Sequence, residues 1–199
     1  MRSARAQRFP TAVFDLRCAL RWLSANAERF GIDPGRTMLA GYSAGAHLAS
    51  LVGVTEDVDA LEGPCPALEE SQVRGVISFT GPQDLRVRDG YTREQAMLVT
   101  RFLGAFPGDV PELATRASPV AHVASDAPAF LFVHGGADHL VPMTQSREMQ
   151  AELRRVGVPA TVLELPDVGH RYLGLVSSGR DALRCTVLEF LERTLADGG

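Results

Sequence analysis

Three residues in this chain, Ser43, Asp138 and His170, have types and an order that could do chemistry together. A serine hydroxyl is a weak nucleophile until a base removes its proton, and an imidazole base needs a third group to fix its tautomer and stabilise the imidazolium that forms. The chemistry of such a set is acyl transfer through a covalent intermediate. Ser43 stands in Gly41-Tyr42-Ser43-Ala44-Gly45, a G-x-S-x-G pattern in which a serine occupies a strained strand-to-helix turn and projects its hydroxyl. The glycines are expected for steric reasons, since a side chain at Gly41 or Gly45 would meet neighbouring backbone. The helix that follows directs its free N–H groups toward developing negative charge. The pattern is short, and the alternative is a small residue in an ordinary tight turn.

The flanking segments favour the reactive reading. "TMLAG" (37–41) has the character of a short apolar strand and "AGAHLASLVGV" (44–54) that of a small-residue helix able to pack closely on a sheet. Upstream, Val13, Leu16, Leu20, Leu23, Ala27 and Phe30 recur at helical steps, with Gly31 placed to end the helix. Phe9, Trp22 and Phe30 sit at core-like spacing on or beside this stripe. Downstream, "VRGVISFTG" (73–81), "AFLFVHG" (129–135) and "ATVLEL" (160–165) read as strands, while 144–157 and 180–195 read as helices, the former closed by Gly157. Strands alternating with helices predict an α/β fold with a mostly parallel sheet covered on both faces, in one domain over 1–199. Residues 82–127, punctuated by Pro107, Pro111 and Pro119, read as an excursion that forms either a lid or substrate wall or an ordinary surface subdomain.

The strand at 129–135 runs into "GADHLVP" and the strand at 160–165 into "PDVGHRY", so Asp138 and His170 both fall on loops past strand ends. Open α/β sheets display their reactive groups there. Other residues compete for these roles. Asp84 in "GPQDL" also follows a strand and is the alternative acid; His47 lies one helical turn after Ser43, where packing or capping is the simpler role. His122 and His139 belong to no motif. Tyr42, next to the serine, either lines an acyl pocket or packs as a core aromatic.

The segments "RFPTAVFDLRCALRWLSANAERFGIDPGRTMLAGYSAGAHLAS", "VISFTGPQDL", "ASPVAHV", "PAFLFVHGGADHLVPMTQS" and "LPDVGHRY" resemble the α/β-hydrolase superfamily, in its esterase/lipase branch with feruloyl- and acetylxylan-esterase-like members. The resemblance spans nearly the whole chain. It implies a three-layer fold, with Ser43, Asp138 and His170 as nucleophile, acid and base and the Ala44 N–H as one oxyanion-hole donor. It implies a small-molecule ester substrate and no cofactor or metal. "SAGAHL" also resembles bacterial arylformamidases, so a formyl-amide hydrolase is the alternative enzyme and a non-catalytic hydrolase-fold domain the alternative of another class. The same family carries several strands and an H-G-G-type loop ahead of the helix that starts near Phe9. This chain begins too late to hold them, and the resemblance therefore implies an N-terminally truncated form. His134-Gly135-Gly136 follows the acid's strand and reads as a strand-end turn. Two consequences are expected: an exposed edge at strand 37–41 that drives homo-oligomer formation, and turnover lowered by about 10²–10³ for a lost oxyanion donor.

Composition bounds the partners. The 199 residues carry 45% hydrophobic residues and a formal net charge of -4 from interspersed acids and bases, without the basic surface a nucleic-acid binder needs. No apolar run is long enough for a membrane span, and Asp15, Arg17 and Arg21 interrupt any signal-peptide core. Cys18, Cys65 and Cys185 are odd in number and widely spaced, which predicts free thiols and, with the missing signal, a cytoplasmic protein.

Overall fold

The computed structural model describes residues 8–56, 58, 61, 63–65, 72–87, 91–171 and 177–196. The basic N-terminal heptad and much of the acid-rich stretch 55–72 lie outside them. Among the described residues, four strands form one parallel sheet in the order β1 (Thr37–Tyr42), β2 (Val73–Phe79), β3 (Ala129–Gly135), β4 (Ala160–Leu165). Each strand begins within a residue of the sequence expectation, and β1 is an edge among the described strands, as expected. The strand ends line up: Tyr42 pairs with Phe79, Phe79 with Val133 and Gly135 with Leu165. The loops carrying Ser43, Asp138 and His170 therefore leave the sheet from one rim.

Side chains alternate across the sheet with the period of two that a strand imposes. Val76, Phe130 and Phe132 enter the larger core with Val13, Leu51, Met149 and Leu153, whereas Ile77, Leu131, Val133 and Leu165 face Phe190 on the other side. One face is thus covered from α1 (Thr11–Ala25), α3 (Ala44–Gly53) and α6 (Thr144–Arg155), and the other by α7 (Ser177–Ala196). These are the expected three layers. The excursion after β2 contains α4 (Arg93–Leu103) and α5 (Pro111–Arg116), the former opened by a reciprocal cap between Thr92 and Gln95.

The first helix differs from its sequence reading. It breaks at Asn26, and α2 (Ala27–Phe30) then ends at Gly31, whose φ of 63° suits glycine. Phe9 is buried, but Trp22 and Phe30 are 49% and 48% exposed. Their rings lie 5.6 Å apart on the outer surface, with the Arg29 guanidinium over Phe30. The buried face is instead rotated toward Val13, Arg17 and Arg21, because Arg17 reaches Thr55 Oγ1 and the Glu56 carbonyl and so buries its stem beneath the helix.

The free-thiol expectation fails for two of the three cysteines. Cys18 on α1 and Cys65 in the segment after α3 form a disulfide, their Cα atoms 5.5 Å apart, while Cys185 is free and exposed. Spacing could not reveal this pair, since α1 and the segment after α3 are brought together by tertiary packing. The bond also withdraws the cysteine argument for a reducing compartment. No helix among the described residues is long and apolar enough to cross a membrane. With the cysteines separated by 47 positions in sequence, loop-closure entropy predicts that Cys18→Ser lowers stability by about 4 kcal/mol. Urea denaturation of wild type and variant, under non-reducing and reducing conditions, measures the loss; reduction should bring the wild type down to the variant.

Candidate active site

The backbone at the end of β1 turns too sharply for ordinary residues. Ser43 adopts φ 53° and ψ −118°, and a Cβ on Gly41 would overlap the Gly45 carbonyl and come within 2.6 Å of Ala46 N. Gly41 is therefore required sterically. Gly45 is not, because a Cβ there meets nothing within 4 Å, which corrects the expectation that both glycines avoid a collision. Positive φ at a serine costs about 1–3 kcal/mol, and the surroundings hold it. Ser43 N–H donates to the Phe79 carbonyl at 2.9 Å and the Ser43 carbonyl accepts from His47 N at 3.0 Å, pinning the turn to β2 and to α3.

His170 reaches this turn from the loop after β4. Gly135 and Gly136 make the approach possible: Gly136 N–H bonds the Leu165 carbonyl and Ala137 N–H the Val168 carbonyl, and a Cβ on either glycine would run into the 166–169 backbone. The pair is thus a strand-end device that seats the histidine loop. From it, His170 Nε2 lies 2.9 Å from Ser43 Oγ, and Nδ1 lies 2.9 Å from Asp138 Oδ2. The three residues singled out from sequence form one continuous line of hydrogen bonds.

Asp138 is 6% exposed and every oxygen is engaged. Oδ1 accepts from the Leu140 and Val141 N–H groups at 2.9 and 2.8 Å, and Oδ2 accepts from Thr80 Oγ1 at 2.6 Å as well as from His170. Burial by itself would raise the carboxyl's pKa; the bonds from Thr80, Val141 and His170 outweigh it and hold it below the ordinary carboxylate value. Behind it, fully buried His134 donates from Nε2 to the Val141 carbonyl and accepts at Nδ1 from Ser146 Oγ. Desolvation lowers its pKa and keeps it neutral.

The competing residues are committed elsewhere. Asp84 is buried and paired with Arg86 at 2.6 Å. His122 bonds the Arg116 carbonyl, and His139 is exposed. His47, 3% exposed, donates to the Ala117 carbonyl at 2.7 Å and meets the Phe102 ring edge-on. Its pKa is lowered to about 4 by burial, only partly opposed by the Ala117 bond. The unfolded chain therefore takes up a proton near pH 6.5 that the folded chain refuses until about 4. Stability is full above that window and falls across it by about 3 kcal/mol as the medium is acidified. His47→Gln does not titrate, so its denaturation midpoint should vary less between pH 7 and 4; an unchanged slope would assign the acid sensitivity to other groups.

Ser43 and Ala44 open onto a cleft of about 620 Å³. Its walls are mainly apolar, with Leu48 from α3, Leu98, Val99 and Phe102 from α4, and Pro142 before α6. The part of the 82–127 excursion up to Phe102 contributes to this lining; no described residue from 103–127 does. Ala44 is exposed at the first position of α3, so its N–H has no acceptor within the helix. Tyr42 does not line the cleft. Its hydroxyl donates to the His170 carbonyl and its ring lies 5.5 Å from the imidazole, so it tethers the histidine loop from outside. Thr80 carries no signal in the sequence: it falls inside the run 73–81 that reads as a strand, where threonine is common, whereas β2 ends at Phe79. No cluster of potential metal ligands occurs among the described residues.

The chain is similar to known proteins over most of its length. The chain is 32% identical over 178 residues to esterase LipC of Mycobacterium tuberculosis, covering 86% of this chain and 43% of LipC. It is 32% identical over 186 residues to the probable carboxylic ester hydrolase LipM of the same organism, covering 91% of this chain and 42% of LipM. It thus spans less than half the length of these curated relatives. A truncated carbohydrate esterase from gut microbiota superposes with a TM-score of 0.81 at 26% identity, covering 98% of this chain and 72% of that one. The BD-FAE family model matches residues 1–153, and the chain accordingly belongs to this esterase family of the α/β-hydrolase fold.

Proposed function

We propose that this chain is a serine hydrolase that cleaves small carboxylic esters, acyl or aryl, through an acyl-enzyme. The observation that carries the reading is the unbroken line from Ser43 Oγ through both nitrogens of His170 to Asp138 Oδ2, opening at the mouth of an apolar cleft. His170 takes the serine proton as Ser43 attacks the ester carbonyl, Asp138 stabilises the imidazolium, and the proton passes to the departing alcohol. Water then repeats the sequence on the acyl-enzyme. The Ala44 N–H donates to the oxyanion, with the N-terminal end of α3 behind it. The acyl or aryl group rests against Leu48, Leu98 and Phe102. The names of LipC, LipM and the gut carbohydrate esterase support ester hydrolysis as the reaction class.

The test is labelling with a fluorophosphonate, which requires an activated serine and no particular substrate. Stoichiometric labelling that maps to Ser43 is expected, together with hydrolysis of p-nitrophenyl acetate. An unlabelled folded protein would turn the reading toward a non-catalytic domain, and faster cleavage of a formyl amide than of esters would move it to an amide hydrolase.

A further inference from the structure

Thr80 occupies a position where threonine is costly. It follows β2 with φ 52°, a region that β-branched residues avoid, and it is fully buried. Glycine or asparagine would suit the backbone better. The backbone itself gives no reason for a hydroxyl, since Thr80 N–H simply continues the ladder by donating to the Val133 carbonyl at 2.9 Å. The side chain supplies the reason. Its Oγ1 donates at 2.6 Å to Asp138 Oδ2, the same oxygen that accepts from His170 Nδ1 at 2.9 Å.

We propose that Thr80 is a positioning residue of the Ser43–His170–Asp138 relay, its hydroxyl fixing Asp138 Oδ2 in line with His170 Nδ1 and sharing the negative charge on that oxygen. The inference rests on the proposed roles of those three residues. The division of labour at Asp138 follows from the donors: two backbone N–H groups anchor Oδ1, whereas Oδ2 has two side-chain donors among the described residues. His134, although its Nε2 lies 3.7 Å from Oδ2, has its only ring proton committed to the Val141 carbonyl. Without the threonine hydroxyl, the charge on Oδ2 is shared only with His170, and protonation of the imidazole becomes easier. The other ionisable groups that act on this cluster are Tyr42, His134, Glu164 and Arg171, and none of them changes when Thr80 does.

Thr80→Val removes the hydroxyl and keeps the branched shape; Thr80→Ser keeps the hydroxyl; Thr80→Gly removes it while relieving the backbone, and so folds even if the valine variant does not. The readout is the titration of the His170 ring followed by NMR, which needs no turnover. Loss of a charge-assisted bond should move its midpoint upward by about half a unit in the valine and glycine variants, roughly a threefold change in proton affinity. Thr80→Ser should stay with the wild type. The acid limb of kcat/KM for p-nitrophenyl acetate should move by the same amount. An unmoved midpoint in folded Thr80→Val or Thr80→Gly, or an equal shift in Thr80→Ser, overturns the proposal. Failure of the relay itself is read separately, as turnover that survives in Ser43→Ala.

Discussion

Ser43→Ala is expected to abolish fluorophosphonate labelling and to lower ester turnover by about 10⁴- to 10⁶-fold, leaving whatever rate substrate binding and the Ala44 N–H supply. The protein should remain folded, because the bonds that pin the turn, from Ser43 N–H to Phe79 and from His47 N–H to Ser43, are made by backbone atoms. The hydroxyl's own partner is His170 Nε2, on a side chain that is partly exposed, so the nitrogen gains access to water when the hydroxyl goes. A melting temperature close to wild type, measured on the same preparation, ties the loss to chemistry. Undiminished turnover in a folded variant would require another nucleophile.

Asp138→Asn is expected to lower kcat by about 10⁴-fold, for a reason that lies in the tautomer of His170. Since Leu140 and Val141 N–H groups both require an acceptor, the asparagine carbonyl must take the Oδ1 position. That turns the amide NH2 toward Thr80 Oγ1 and His170 Nδ1, two sites that met an acceptor before. His170 must then accept at Nδ1 and carry its proton on Nε2, facing Ser43, where it has no lone pair left to receive the serine proton. Burst kinetics with p-nitrophenyl acetate separate this defect in acylation from a change in binding. The same substitution bears on acid stability. Because the folded carboxyl titrates below its ordinary value, Asp138 contributes stability that is fully present above about pH 4 and is lost as the pH falls through the folded value. The asparagine variant should lack that component, so the gap in denaturation midpoint between the two proteins should narrow on acidification below pH 4. A constant gap down to full unfolding would mean that the bonds to Asp138 do not favour its charged form.

The order of elements was determined by the sequence alone, and Ser43, Asp138 and His170 were put forward by it as candidates, because both rest on local patterns. A strand needs only its apolar run and a turn only its small residues, and a reactive group on a loop directly after a strand inherits its location from that strand. The Gly41-Tyr42-Ser43-Ala44-Gly45 turn adds a steric signature, although only Gly41 proves to be under that constraint. The outer limits of the helix over 11–30 were equally readable. Its buried face was not, since Trp22 and Phe30 have the right spacing for a core and yet lie on the surface.

What the tertiary structure decided were relations between segments far apart in the chain. Cys18 and Cys65 become partners because α1 packs against α3 and the segment beyond it, a meeting that no cysteine spacing encodes. Tyr42 turns away from the cleft to hold the His170 loop across 128 positions of sequence. Thr80 reaches Asp138 across 58, and it is Asp138 that meets His170 Nδ1, at 2.9 Å, while Asp84 pairs with Arg86. The contact from Thr80 to Asp138 is a single directional bond between two buried side chains, where water is excluded as a competing partner. A pattern of residue types records which groups seek such a bond; the sheet that brings β1, β2, β3 and β4 to a common rim determines which of them meet.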